Sequence, residues 1–180
     1  MPRSPALPFD PMASHTDASR LLLEGQSHQF AEPPDYAAAE KAYRTATQVA
    51  PHWGEPYHWL AFVLQRRDSL QEAENAYLRA IQLLAGDPRP LIALGDLQRR
   101  RGQYGNAIKS LEAGLALKPH YAEADARLML AEAFACANNL KQAAAQWRLV
   151  ARMEPSYPSD EKPMDEAKRK LAERGLTVEG

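Results

Sequence analysis

Slid along itself by 34 residues, this chain meets its own pattern again, and that period limits the fold more than any other feature. Tyr36-Ala-Ala-Ala39…Tyr43…Ala46…Pro51 becomes Leu70-Gln-Glu-Ala73…Tyr77…Ala80. A second step of 34 gives Tyr104…Ala107…Leu111…Gly114…Pro119, and a step of 36 gives Leu140…Ala143…Trp147…Val150…Pro155. Each copy runs apolar, small, bulky and generally small again, at intervals that place all four residues on one helix face. Ala39, Ala73, Ala107 and Ala143 are expected where two helices approach closely. Tyr43, Tyr77, Leu111 and Trp147 are expected to fill the space beside them.

The segment ahead of each such helix repeats as well. Leu60-Ala61…Leu64 matches Leu94-Gly95…Gln98 and Leu130-Ala131…Phe134. Asp68-Ser69, Gly102-Gln103 and Asn138-Asn139 mark a tight turn between the two helices of each pair. Proline followed by an aromatic closes several copies, at Pro51-His52-Trp53, Pro119-His120-Tyr121 and Pro155-Ser156-Tyr157. This helix–turn–helix alternation resembles the tetratricopeptide repeat family from about Asp17 to Tyr157. The resemblance implies an all-α fold: a right-handed α-solenoid of about four helix-turn-helix repeats with a concave groove and a C-terminal capping helix. The expected repeats cover 17–53, 54–87, 88–121 and 124–157.

Several places depart from the pattern. The first repeat has an irregular front helix, with Leu21, Leu22, Leu23 and Gly25 as its plausible members. Its turn, Phe30-Ala-Glu-Pro-Pro-Asp35, is longer than the others. The second repeat carries Gly86-Asp87-Pro88 in place of the closing proline. The fourth is offset by two residues, expected near Ala122 and Glu123. Pro2, Pro5, Pro8 and Pro11 mark residues 1–16 as a disordered lead-in. Residues 158–180 hold a narrow stripe of Met164, Ala167 and Leu171 on a charged helix closed by Gly175, which reads as the cap.

Composition narrows the function classes. Twenty-two basic against 23 acidic residues give a formal charge of -1, with no global pull toward nucleic acid or membrane. The single Cys136 excludes an internal disulfide framework and a cysteine-based zinc site, and reads as a buried or half-buried structural thiol. No apolar run approaches bilayer length, and a cytoplasmic location is the default expectation. Catalytic and phosphate-binding motifs are missing, so no enzyme activity and no cofactor are expected. His52, Glu55 and His58 flank a proline-bounded turn and would not share one helical face, which argues against a metal site.

By resemblance to the family, the second face of each front helix lines the groove. That face holds His58, Phe62, Gln65 and Arg66, then Ile92, Asp96, Arg99 and Arg100, then Leu128, Glu132, Ala135 and Cys136. Its mixture of apolar, aromatic and charged groups suits a site that grips a peptide through a few anchors. Trp59 stands with Phe62 as an aromatic anchor or packs against the irregular first repeat; both readings are open. Family members that clamp a partner's C-terminal carboxylate use lysines and asparagines, where this chain has His58, Phe62, Ala93 and Asp96. That activity is disfavoured. Arg66-Arg67 and Arg99-Arg100-Arg101 complement helix C-termini in the simpler reading, or form a basic ridge for an acidic or phosphorylated segment. The leading expectation is a protein-interaction scaffold that takes a protein or peptide partner. The alternatives are a co-chaperone or secretion-chaperone role, and self-association of stacked repeats.

Overall fold

The computed structural model describes residues 11–119, 122–155 and 161–179. Among them are nine helices: α1 Pro11–Gln29, α2 Tyr36–Val49, α3 Gly54–Arg66, α4 Leu70–Leu83, α5 Pro88–Arg100, α6 Tyr104–Ala116, α7 Glu123–Cys136, α8 Leu140–Ala151 and α9 Glu161–Ala172. The described residues contain no strand. The chain divides into an N-terminal compact half ending at Leu84 and a C-terminal one beginning at Ala85.

In the N-terminal half α1 packs on α2, α2 on α3, and α3 on α4. In the C-terminal half α5 pairs with α6 and α7 with α8, with α6 against α7 and α9 against α8. Small-against-large packing sets these pairings. Ala39, Ala73, Ala107 and Ala143 are fully buried, as are Tyr43, Tyr77, Leu111 and Trp147 to within about a percent. At two of these seams the approach leaves room only for glycine. A Cβ on Gly25 would stand 2.4 Å from the Tyr43 ring, and one on Gly95 would stand 2.5 Å from Leu111 Cγ. Gly25 therefore does in α1 what Ala61, Gly95 and Ala131 do in α3, α5 and α7. It precedes its alanine by fourteen residues where the others precede theirs by twelve, so the longer first turn shifts the register by two.

The turns within pairs share one geometry. Asp68, Gly102 and Asn138 adopt left-handed backbone, with φ of 63°, 72° and 61°. The next residue's N–H returns to the last helical turn in each case: Ser69 to Leu64 at 2.9 Å, Gln103 to Gln98 at 2.9 Å, and Asn139 to Phe134 at 2.8 Å. This hydrogen bond satisfies a helix-end carbonyl and stops the helix at the same register each time. Helix starts are capped at Asp35, which accepts from Ala37 and Ala38, at Asp87, which accepts from Arg89, and at Asn139, which accepts from Gln142.

One boundary differs from the sequence-based expectation. Helix α1 begins at Pro11, so residues 11–16 extend the first helix rather than the lead-in. Proline is tolerated in a first helical turn because its missing N–H would lack an intrahelical partner anyway. Residues 1–10 and the aromatics Tyr121 and Tyr157 lie outside the described residues. At the other end Met164, Ala167 and Leu171 of α9 are buried in one apolar cluster with Trp147 and Val150 of α8. The chain beyond α9 is also fastened to α8. Arg148 Nε donates to Thr177 O at 3.0 Å, Arg152 Nη2 donates to Val178 O at 2.6 Å, and the Arg174 guanidinium lies 4.6 Å from the Trp147 ring centroid.

Candidate functional site

The residues expected on the groove face part into two groups. His58 is 9% exposed, its ring 5.4 Å from Trp59 and 5.9 Å from Tyr77, so it belongs to the packing of α3 and not to an open surface. Gln65 is half-buried and accepts a hydrogen bond from Tyr77 Oη at 3.2 Å, which commits its carbonyl to the helix pair. Trp59 and Phe62 are half-buried and Arg66 is exposed. These three form a surface with Phe30, which lies in the α1–α2 turn. Phe30 meets Trp59 edge to face at 6.1 Å, Trp59 meets Phe62 edge to face at 6.4 Å, and Arg66 Cζ lies 5.0 Å from the Phe62 centroid. Trp59 thus joins both roles held open for it: it packs against the first repeat and supports an exposed aromatic row. The signal for Phe30 was present as an aromatic placed in an unusually long turn.

In the C-terminal half the same face is closed on itself. Ile92 is 8% exposed and lies against Gly114, where an added Cβ would come within 2.8 Å of its Cγ1. Asp96, also 8% exposed, takes Arg99 Nη2 at 2.7 Å and Arg100 Nε at 2.8 Å. Arg99 Nη1 reaches Glu132 of α7 at 2.9 Å, and Leu128 packs against the core cluster. Ile92 and Asp96 are therefore core-facing, while Arg99, Arg100 and Glu132 are tied into one ion network.

The arginine clusters divide the same way. Arg67 pairs with Glu40, which Arg44 Nε also engages at 2.7 Å. Burial raises the Glu40 pKa, but hydrogen bonds from Arg44 and Arg67 outweigh it and hold the carboxyl below its usual range. Arg66 has no carboxylate partner among the described residues. Arg67, Arg99 and Arg100 each have a carboxylate partner inside their own half, so no continuous ridge is needed to account for them.

Cys136 corrects the sequence reading: it is exposed, at the end of α7. Its thiol lies beside the Tyr104 hydroxyl and raises the phenol's pKa. Among the described residues no three His, Cys, Asp or Glu side chains gather as a metal site, and no helix is long and apolar enough to cross a membrane.

Paired helices in a 34-residue period, a small-against-large seam in every pair and one recurring turn define a helical-hairpin repeat protein. Residues 88–121, the segment of α5 and α6, match the family model described as tetratricopeptide repeat. Solved structures share the fold. The MamA protein is 19% identical over 92% of this chain and 81% of its own, with a TM-score of 0.67. Pseudomonas aeruginosa pilF is 17% identical over 89% of this chain and 72% of its own, with a TM-score of 0.74. The TPR2B domain of yeast Sti1, in a complex with pHsp70, is 23% identical over 73% of this chain and 98% of its own, with a TM-score of 0.56. No curated protein matches the chain.

Proposed function

We propose that this chain is a non-catalytic scaffold that captures a segment of a partner protein on the N-terminal half, at the surface of Phe30, Trp59, Phe62 and Arg66. The observation that carries this reading is the exposed aromatic row: Phe30 is 66% exposed and leads through Trp59 to Phe62, with an arginine over the last ring. Large aromatics and arginine supply most of the binding energy at protein interfaces, because they bury much area at little entropic cost. The yeast Sti1 neighbour, solved in a complex with pHsp70, gives a precedent for a repeat domain of this fold holding a protein partner. A cytoplasmic setting fits the exposed Cys136 thiol.

The test is capture of partners by wild-type and Phe62→Ala protein side by side, followed by titration of the recovered partner. Loss of the ring should weaken binding by about 2 kcal/mol, roughly thirtyfold, with the helical spectrum and melting temperature preserved. A Phe62→Ala protein that binds its partner with wild-type affinity overturns the assignment.

A further inference from the structure

We propose that the cleft beside the α1–α2 turn is a receptor for an aromatic side chain flanked by a carboxylate, presented on an extended segment of the partner. This rests on the partner-capture reading above and adds the chemistry of what is captured. The cleft has a volume of about 460 Å³ and is walled by Phe30, Pro33, Pro34 and Phe62, with Gln29, Glu32 and Arg66 among its polar groups. That size falls within the range of specific ligand pockets, about 300–1,000 Å³.

Gln29 is the built polar element. It is 3% exposed, its Oε1 accepts from Tyr43 Oη at 3.0 Å, and its Nε2 has no hydrogen-bond partner. Turning the amide over only exchanges the roles: Nε2 would then donate to the phenol oxygen and Oε1 would be left. A buried amide atom without a partner is costly, and buried polar groups in folded proteins are overwhelmingly satisfied. The second repeat shows the contrast. Gln65 holds the equivalent hydrogen bond to Tyr77 but is only half-buried, so water can serve its amide. The longer first turn buries Gln29 at a cleft wall, so a ligand seated in the cleft lies beside the Gln29–Tyr43 pair.

Charge and ring geometry supply the rest. Arg66 stands at the cleft with no ion pair among the described residues, whereas Arg44 and Arg67 are both paired. A ligand carboxylate would compensate it, with a charge-assisted contact stronger than a neutral one. Glu32 also lines the cleft and repels a second acid there, so the carboxylate belongs on the α3 side. The edge-to-face row from Phe62 through Trp59 to Phe30 ends on a ring that is mostly exposed, and an incoming aromatic ring extends it in a preferred geometry.

The experiment titrates the ¹⁵N-labelled full chain with three blocked peptides: acetyl-Gly-Asp-Trp-Gly-amide, its Asn-Trp analogue and its Asp-Leu analogue. The Asp-Trp peptide should shift the Gln29 side-chain amide and the backbone of residues 30–36 and 62–66. It should bind about tenfold more tightly than either analogue, the size of one charge-assisted or ring contact. Arg66→Gln should abolish the Asp-over-Asn preference while keeping Trp over Leu. Equal affinities for the Asp and Asn peptides, or shifts that avoid the Gln29 amide, overturn the proposal. Inorganic phosphate shifting the same residues as strongly as the peptide would show an anion site alone and overturn it too. If the peptides leave the cleft unshifted while Phe62→Ala still loses its captured partner, the cleft assignment fails and the scaffold reading stands. If both fail, the aromatic row is not a binding surface.

Discussion

Helices α3 and α5 occupy equivalent places in consecutive repeats, 34 residues apart, yet they treat the same face in opposite ways. On α5, Asp96 draws Arg99 and Arg100 onto itself, and Arg99 goes on to Glu132, so the charges are satisfied inside the C-terminal half. On α3 the residue in the place of Asp96 is Phe62. With no acid there, Arg66 rests on a ring instead of a carboxylate, and the aromatic row continues outward to Phe30. One repeat thus spends its polar groups on structure, while the other leaves aromatic and cationic surface open. The repeat supplies a frame, and a single position decides whether its outer face closes or stays available.

The largest expected effect breaks the closed side. Trp147 is buried between α8 and the capping segment, and Trp147→Ala should cost about 3–5 kcal/mol in urea unfolding. A loss under about 1 kcal/mol would mean that the C-terminal half is not packed around that ring. A smaller effect compares the two faces directly. Asp96→Asn removes a charge acceptor for two arginines and should destabilise by about 1–3 kcal/mol. Arg66→Gln should stay within about 0.5 kcal/mol, because no ion pair is lost. Equal costs would erase the distinction between the halves.

A weaker, pH-dependent effect sharpens the description of the N-terminal half. The Glu40 pKa is depressed in the folded chain by Arg44 and Arg67, so its stabilisation is fully present above the ordinary carboxylate pKa. It is lost as pH falls through the depressed folded value. Glu40→Gln should therefore be less stable than wild type at neutral pH, and the gap should narrow on acidification. A gap that is constant from neutral pH down through that range would show that the carboxylate's ionisation contributes nothing.

Most of the fold is legible in the sequence because its causes are local and repeated. The alanine-to-bulky spacing marks the seam at Ala39 and Tyr43 as plainly as at Ala143 and Trp147. Asp68, Gly102 and Asn138 are the residue types that tolerate left-handed backbone. The site was less legible because a helical face does not reveal what its neighbours cover. His58 and Ile92 share the face of Phe62 and Arg66, but Tyr77 and Gly114 pack against them. The self-pairing of Asp96 with Arg99 and Arg100 could have been read from its three- and four-residue spacing. Phe30 and Gln29 could not be placed by period, since the two-residue lengthening of the first turn takes them out of register.

The most direct test measures affinity for one captured partner in two double variants, Phe62→Ala/Arg66→Glu and Asp96→Asn/Glu132→Gln, with melting temperatures alongside. The first should lose at least about thirtyfold in affinity at an almost unchanged melting temperature. The second should melt earlier while keeping wild-type affinity at temperatures where it is folded. The reverse pattern, with binding lost on changing Asp96 and Glu132 and kept on changing Phe62 and Arg66, would place the binding surface on the C-terminal half instead.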